Sequence, residues 1–334
     1  MALWLGIVAA LAFSATTGLH DAANAIATLV ATRGATPGQA ALLSAVFNML
    51  GAVLVGTAVA GTVAGIVAVP RADAIAVAGS AALAAVAWNL LTWRLGLPSS
   101  AGHALVGGLL GSGLVATGSD AVNWGGMHGV RPSGVFGVLI LLAVSPVVGV
   151  LLGAGVSTVA RSLLRGATRA VGRPIRGAQW VMTAGLSFGN GANNAQKAMG
   201  VIAVLLVGGG RLDTPSVPLW VKLACGATLT CGTALGGWRI VRTIGSRIFP
   251  LTPTDAFSSQ SASTAVILGS SFLGAPISTT HVVASSVVGV GWGRRRVRHV
   301  RWSVVQGMMV AWVLTLPATI ALGAAAAAVW RWAA

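Results

Sequence analysis

The chain contains no glutamate, and aspartate occurs at only five positions. Charged residues make up 8% of its 334 residues, whereas a typical soluble protein has about 25%. A water-soluble protein of this length has too much surface to cover with so few charges. The shortage of charge therefore excludes a soluble globular protein, and the mean hydropathy of +0.86 indicates a polytopic membrane protein.

Cysteine is also scarce, and the polar residues do not form the patterns of common catalytic sites. The two cysteines, Cys225 and Cys231, share one apolar segment without metal-ligand spacing and are interpreted as packing residues. The sequence shows no paired carboxylates, nucleophile–base motif or metal cluster. An enzyme is therefore not predicted, and no cofactor is expected.

Apolar runs divide the chain into membrane segments, since about 20 apolar residues span a bilayer as a helix. Six single crossings are predicted, at 3–32, 40–69, 134–160, 178–207, 218–238 and 303–330. Two longer stretches, 72–117 and 254–292, are interrupted at Pro98 and Pro276. Each is either a pair of spans or a re-entrant hairpin, and both alternatives return the chain to the side it left.

The net charge of +16 is interpreted as a topology signal and not as a nucleic-acid surface. Arginine clusters at 161–176, 239–247 and 294–301 fall on one side of the alternating spans, together with Arg33. That side holds fourteen basic residues and the other holds four, so it is predicted to be cytoplasmic, with both termini outside the plasma membrane. Binding of these clusters to membrane lipid headgroups is the alternative.

The two halves of the chain resemble each other. The pairs are Asp21 with Asn194, Gly56-Thr57-Ala58 with Gly232-Thr233-Ala234, and His103 with His281, each separated by a similar interval close to half the chain. Alternation of the spans makes the repeats antiparallel, and inverted repeats with interrupted segments indicate a secondary transporter with a midplane site. The predicted organisation is a first repeat at 1–160, a basic cytoplasmic loop at 161–177 and a second repeat at 178–334.

Asp21 is the only acid well inside an apolar run, and the other four acids lie in loop-like stretches. An aspartate at the centre of a membrane helix costs about 2.5–3.5 kcal/mol on insertion scales, so it is a functional candidate by default. Asn24 lies three residues later on the same helix face. Their oxygens suit a small hard cation or a proton, and sodium, if it is the coupling ion, is expected at Asp21 and Asn24. The alternative is an interhelical hydrogen-bond cluster.

Hydroxyl residues follow both proline interruptions, as Ser99 and Ser100 in the first half and Ser278, Thr279 and Thr280 in the second. Free backbone N–H groups at a helix start, together with hydroxyl donors, suit an oxyanion. The alternative is a proline kink whose hydroxyls cap the next helix. One matched set in each half favours a ligand site.

Six words of sequence, in order along nearly the whole chain, resemble the bacterial branch of the inorganic phosphate transporter (PiT) family. They are His20-Asp21-Ala22-Ala23-Asn24-Ala25, Trp88-Asn89-Leu90, Ser145-Pro146-Val147-Val148-Gly149, Ala195-Gln196-Lys197-Ala198-Met199-Gly200, Gly236-Gly237-Trp238-Arg239 and Pro276-Ile277-Ser278-Thr279-Thr280-His281. The resemblance implies symport of inorganic phosphate with sodium or protons. It also implies an all-α polytopic membrane protein with two inverted-topology repeats, re-entrant helical hairpins and about 10–12 membrane segments.

The residues and the resemblance together assign three groups of candidate site residues. Phosphate is expected at Asn24, Ser99, Ser100, Gln196, Ser278, Thr279 and Thr280. Cation coupling is expected at Asp21, Asn24, Asn193 and Asn194. The surrounding network is expected to include His20, His103, Lys197 and His281, with Lys197 either attracting the anion or extending to the membrane interface.

Five positions depart from the family's usual pattern, and the first is Asn190, which stands where a histidine is expected. Asn194 and Gln260 stand where acids are expected, and Ala101 and Gly102 replace expected hydroxyl residues. These substitutions motivate two alternatives, a transporter of another tetrahedral oxyanion such as sulfate and a non-transporting regulatory paralogue. The sequence does not decide the oligomeric state, and a homodimer is retained as an alternative.

A single intramembrane acid predicts that this protein couples fewer cations to each phosphate than its relatives, or couples them weakly. Moving one charge through 100 mV is worth about 2.3 kcal/mol, so the stoichiometry is visible as current. We expect proteoliposomes that take up labelled phosphate at a set potential to move fewer than two cations per phosphate. A measured ratio of two or more contradicts the prediction.

Overall fold

A computed structural model describes residues 1–128, 131–166 and 171–333. Apart from one short antiparallel hairpin, β1–β2, the regular structure in these ranges is helical. The elements are α1 (Ala2–Ala31), α2 (Pro37–Leu54), α3 (Ala58–Ala64), α4 (Arg71–Leu95), α5 (Ala101–Thr117), β1 (Gly126–His128), β2 (Arg131–Ser133), α6 (Gly134–Leu163), α7 (Gly172–Gly208), α8 (Leu219–Leu235), α9 (Trp238–Arg242), α10 (Pro253–Phe272), α11 (Thr279–Gly293) and α12 (Trp302–Ala333).

Six of the described helices are long and apolar enough to cross a membrane, and the bent pair α8–α9 makes a seventh. The six are α1, α2, α4, α5, α6 and α12. The protein is therefore a multi-pass membrane protein, as the composition predicts. The long helices α7 and α10 fall outside this set and carry buried polar residues, including Asn190, Asn193 and Asn194 on α7.

Helices α1 and α7 are equivalent in the two repeats and run antiparallel through the centre of the fold. Gly6 lies against Leu205 near one end, Asp21 bonds Asn194 in the middle, and Thr32 bonds Gln179 near the other end. As the residue number of the contact increases along α1, it decreases along α7. This pairing confirms the predicted inverted topology.

Four glycines let the central helices cross at close range. An added Cβ at Gly18 or Gly232 would overlap a backbone carbonyl oxygen across the crossing of α1 with α8. An added Cβ at Gly51 or Gly191 would do the same across the crossing of α2 with α7. Small residues of this kind let membrane helices pack backbone to backbone. The two crossings therefore repeat each other.

These crossings correct one pairing made from sequence. The crossing of α1 with α8 is equivalent to the crossing of α7 with α2. In the first crossing Gly18 and Gly232 make the close contacts, and in the second Gly191 and Gly51 do so at the corresponding places. Gly232 is therefore equivalent to Gly51, and its predicted pairing with Gly56 is wrong. Short words rich in glycine and alanine match at several registers, and only the contacts select one.

Two predicted single crossings, 40–69 and 218–238, differ from the structure. The first is interrupted and becomes α2 and the short α3, separated by residues 55–57. The second corresponds to α8, which ends at Leu235, and a further helical segment, Trp238–Arg247, continues beyond the predicted end at a bend of 62°. The breaks contain Gly56 and the Gly236-Gly237 pair, and glycine has the lowest helix propensity of any residue except proline. Apolar composition alone did not reveal these breaks.

The two interrupted stretches are re-entrant hairpins, α4–α5 and α10–α11. Gly96 and Gly274, both in the left-handed region at φ of 67° and 69°, end the first arm of each. Ser100 and Ser278 then cap the second arm, accepting hydrogen bonds from backbone N–H groups three residues later. Both tips are buried inside the fold, and the second contacts Asp21 in the interior of α1, as expected for re-entrant hairpins.

The last helix of each repeat packs on the hairpin of the other repeat. Helix α6 packs on α10 and α11, and α12 packs on α4 and α5. The repeats are thus interlocked, and the boundaries predicted at 160 and 178 stay a prediction. Arg169 of the predicted basic loop lies outside the described residues. Asp255, expected in a loop, is buried at the start of α10, where it pairs with Arg294.

The helix crossings generate a stability prediction. Gly51→Ala and Gly232→Ala each place a methyl group against a backbone oxygen, and overpacking of this kind costs about 1–3 kcal/mol. We expect both variants to lose thermal stability in detergent. Gly155→Ala is the matched control, because an added methyl group there meets no atom within 4 Å. Equal melting temperatures for all three variants would contradict the crossing geometry.

Candidate functional site

The centre of the site is the carboxylate of Asp21, which is 4% exposed. Its Oδ1 accepts a hydrogen bond of 2.6 Å from the amide of Asn24, one turn along α1. Its Oδ2 accepts one of 2.6 Å from the amide of Asn194 on α7. A buried carboxylate needs such donors, because an unpaired charge in an apolar interior is very costly. One residue from each repeat thus holds the charge.

The tip of the second hairpin contacts Asp21 and both of its amide donors. The Thr280 hydroxyl donates to Asp21 Oδ1 at 3.2 Å. The Asn24 amide reaches the hydroxyl oxygens of Thr280 at 3.1 Å and of Thr279 at 3.3 Å, and the Asn194 amide reaches Thr279 at 3.3 Å. The structure therefore brings together five of the residues predicted from sequence, although they come from three separate helices.

Lys197 is a further part of the cluster. Its Nζ donates to Asn194 Oδ1 at 2.7 Å and to the carbonyl oxygen of Ile277 at 2.9 Å. The residue is 2% exposed, so the interpretation of Lys197 as a side chain that extends to the membrane interface is wrong. An ammonium group buried this deeply acts on its neighbours with little screening by water.

The first hairpin is held by a different set of contacts. The Ser99 hydroxyl pairs with that of Thr92 at 2.8 Å, and Thr92 lies 3.4 Å from Nε2 of His20. His20 Nε2 donates to the carbonyl oxygen of Asn89 at 2.6 Å. Ser100 caps α5. These contacts fix the hairpin to α1.

Two features of the first hairpin bear on the sequence predictions. Ala101 and Gly102 provide no hydroxyl beside Ser99 and Ser100, as their identities imply. Thr92 received no role from sequence reasoning, although it links Ser99 to His20. The available signal was the word Trp88-Asn89-Leu90, which lies one turn before it on α4.

A stack of aromatic rings joins the two hairpins. The rings of His103 and His281 lie 4.9 Å apart, and Trp312 of α12 stacks on His281 at 3.9 Å. Trp312 also donates from its indole N–H to the carbonyl oxygen of Pro98 at 2.8 Å. The histidines were expected near the site, whereas Trp312 carried no sequence signal because it lies in an ordinary apolar run.

Two predicted site residues make contacts elsewhere. Gln196, expected at phosphate, accepts hydrogen bonds from the backbone N–H groups of Val59 and Ala60, which favours a role in capping α3. Asn193, expected at the cation, donates to the carbonyl oxygen of Ala275 at 3.1 Å and ties α7 to the second hairpin. Asn193 lies one residue before Asn194 and Gln196 lies two residues after it, so their side chains point to different neighbours, because successive helix residues turn by about 100°.

The cluster has one atom suited to a ligand. Asn24 Oδ1 is buried without a hydrogen-bond partner, and such an atom calls for an explanation in a bound ion or water. Together with Asp21 it offers the oxygen atoms that a hard cation takes. Within the described ranges no group of three or more histidine, cysteine or acidic residues forms a metal site. Asn24 Oδ1 and the Asp21 carboxylate are therefore the cation candidates.

Comparison with known proteins decides the family. Residues 17–172 and 165–323 each match the Phosphate transporter family. The chain belongs to the phosphate transporter family. The two overlapping matches agree with the internal repeat, and the order of the helices agrees with the predicted all-α fold of inverted repeats.

Known relatives of this phosphate transporter extend over nearly its whole length. It is 39% identical to the probable low-affinity inorganic phosphate transporter of Rhizobium meliloti, over 96% of this chain and 95% of that protein. It is 36% identical to the protein of the same name in Bacillus subtilis, over 96% and 94%. A solved structure, the sodium-dependent phosphate transporter, matches with a TM-score of 0.87 and 26% identity over 99% of each chain.

The anchoring of the second hairpin by Asn193 can be tested by stability. Asn193→Ala leaves the buried Ala275 carbonyl oxygen without this donor, and an unsatisfied buried group costs about 1–3 kcal/mol. We expect a clear fall in melting temperature in detergent. Asn123→Ala is the control, because Asn123 also donates to a backbone carbonyl, that of Gly65, but is exposed. Similar losses in both variants would argue against the anchor.

Proposed function

We propose that this phosphate transporter imports inorganic phosphate by symport with a cation, and that the site alternates between the two sides of the membrane. The observation that carries the proposal is the buried Asp21 cluster, built where α1 and α7 of the inverted repeats meet the tip of the second hairpin. Such placement is typical of secondary transporters. Similarity to the solved sodium-dependent phosphate transporter supports sodium as the cation, and a proton is the alternative.

Phosphate is proposed to bind at the tip of the second hairpin. Helix α11 begins at Thr279 after the Ser278 cap, so its first backbone N–H groups and the hydroxyls of Thr279 and Thr280 lie together. A helix start of this kind favours an anion. The donors of the tip itself are neutral, and the fixed positive charge beside it is Lys197, whose Nζ donates to the carbonyl oxygen of Ile277 at 2.9 Å. Ser99 and Ser100 remain proposed contributors from the first hairpin.

The cation is proposed to bind at Asp21 and Asn24. The carboxylate supplies the charge and Asn24 Oδ1 supplies a free buried oxygen. Since Thr280 bonds the same carboxylate that would hold the cation, cation and phosphate share neighbouring ligands. A cation bound at Asp21 offsets the negative charge next to the phosphate site, so the binding of one favours the other, which is the requirement for coupled transport.

The orientation of the protein in the plasma membrane is proposed from the charge distribution. The side with the three arginine clusters is cytoplasmic, with both termini outside. The interlocked packing of α6 and α12 is compatible with alternating access, because each hairpin packs on a helix of the other repeat. In this proposal the two interlocked halves rock around the Asp21 cluster.

A different tetrahedral oxyanion is a second candidate, motivated by Ala101 and Gly102 in the first hairpin. Sulfate accepts the same donors as phosphate, so geometry does not separate them. Uptake of labelled phosphate in the presence of excess sulfate does. Phosphate uptake that is unaffected by sulfate supports the phosphate assignment, and strong competition favours the second candidate.

Mutation of the cluster tests the proposed site. We expect labelled-phosphate uptake into proteoliposomes to fall to background in Asp21→Asn, which removes the charge, and in Ser278→Ala with Thr279→Ala, which removes hydroxyl oxygens from the tip. Asp120→Asn and Ser246→Ala are matched controls at exposed positions. Normal uptake in both site variants, at equal reconstitution, refutes the site.

A further inference from the structure

The internal repeat relates the cluster's residues in pairs. The glycine crossings make Gly191 the equivalent of Gly18, which fixes the register of α7 on α1. In that register Asn194 is the equivalent of Asp21, and Lys197 is the equivalent of Asn24. The first repeat thus presents a carboxylate followed by an amide, and the second presents an amide followed by an ammonium. The same place on two equivalent helices differs by two units of charge.

The contacts of the ammonium are those of a bound cation. Lys197 Nζ is held by two oxygens, Asn194 Oδ1 at 2.7 Å and the carbonyl oxygen of Ile277 at 2.9 Å. Ile277 belongs to the hairpin tip, one residue before the Ser278 cap. Amide and backbone carbonyl oxygens are ordinary ligands of hard cations. A charged side-chain nitrogen therefore occupies a position built from cation ligands.

Asn194 connects this position to the carboxylate. Its amide N–H donates to Asp21 Oδ2 at 2.6 Å, and its Oδ1 accepts from Lys197 at 2.7 Å. The two buried charges are therefore bridged by one neutral side chain. A carboxylate at position 194 would instead face Asp21 and need a further cation between them, since like charges at this range repel strongly.

Gly102 places the first hairpin next to the ammonium. The point where a Cβ of residue 102 would lie is 3.5 Å from Lys197 Nζ and 3.7 Å from Ser100 Oγ. Lys197 Nζ thus lies beside both hairpin tips, through Ile277 on one and Gly102 on the other. The hydroxyls missing at positions 101 and 102 coincide with the presence of a positive charge at the same place.

We propose that the Lys197 ammonium is a tethered cation, which fills the second repeat's counterpart of the Asp21–Asn24 cation site and replaces one dissociable coupling ion. This inference rests on the proposed symport. A tethered cation balances the charge of the anion as a bound sodium does. It does not cross the membrane with the substrate, so it contributes nothing to the driving force. The highest ratio of internal to external phosphate that the protein can reach is therefore lower than with one more coupled cation, by the factor that the electrochemical gradient of that cation would contribute.

The test converts the second repeat to the pattern of the first. The double variant Asn194→Asp with Lys197→Asn restores a carboxylate and an amide at the equivalent positions. We expect it to transport one more cation per phosphate than the unmodified protein, measured from the reversal potential of phosphate uptake in proteoliposomes. The sodium dependence of uptake should steepen, with a Hill coefficient higher by one. Lys222→Asn, at the other lysine and outside the cluster, should leave both quantities unchanged.

A binding measurement separates this inference from the proposed function. With radioactive sodium and saturating phosphate, the purified double variant should bind one more sodium ion per protein than the unmodified protein, whether or not it transports. Absence of phosphate uptake by the unmodified protein under every imposed gradient overturns the proposed function alone. An unchanged sodium count and an unchanged coupling ratio overturn the tethered cation.

A second variant and the unmodified protein test the proposal even if the double variant does not fold. Lys197→Gln removes the charge without adding an acid, and we expect its uptake to need a higher cation concentration, with a steeper dependence. If uptake by Lys197→Gln depends on cation concentration as uptake by the unmodified protein does, the proposal is contradicted. An unmodified protein that already moves two or more cations with each phosphate also contradicts it.

Discussion

The fold depends on keeping one carboxylate hydrogen-bonded in an apolar interior. Asp21 receives an amide hydrogen bond from each repeat and a hydroxyl hydrogen bond from the second hairpin. None of these donors can be withdrawn without leaving a buried acceptor less well paired. The helices α1, α7 and the start of α11 are therefore linked to one another through a single side chain. The close glycine crossings make that geometry accessible, because bulkier residues would hold the helices apart.

The symmetry of the backbone and the asymmetry of the side chains have separate consequences. Equivalent helices cross at equivalent glycines, and equivalent hairpins turn at equivalent left-handed glycines and serine caps. Inverted repeats of this kind give a transporter two related arrangements facing opposite sides. The polar residues break the symmetry: threonines of the second tip reach Asp21, whereas the first tip is tied to His20 through Thr92. The first repeat supplies the negative charge and the second supplies the positive one.

Several features were predictable because they depend on local composition. The shortage of charge predicted the membrane, the two prolines marked the interrupted stretches that the family resemblance assigned to hairpins, and Asp21 stood out as an acid in an apolar run. Other features were not, because they depend on which side chains meet. Residues Asn193, Asn194 and Gln196 follow closely on one helix, yet they contact a hairpin carbonyl, a carboxylate and the start of α3. Trp312 lies in an ordinary apolar span, and only the folded structure places its ring against His281.

The sequence by itself determined that this protein is a membrane transporter of two inverted repeats, and it identified Asp21 as the charge to explain. Composition and repetition are properties of the chain, and the cost of charge in hydrocarbon applies in any fold. Only the tertiary structure decided the register of the repeats, the interlocking of α6 and α12 with the opposite hairpins, and the burial of Lys197. A lysine side chain is long enough to reach either the membrane interface or the interior. The oxygens of Asn194 and Ile277, which folding brings to the Lys197 ammonium from two separate elements, decide which.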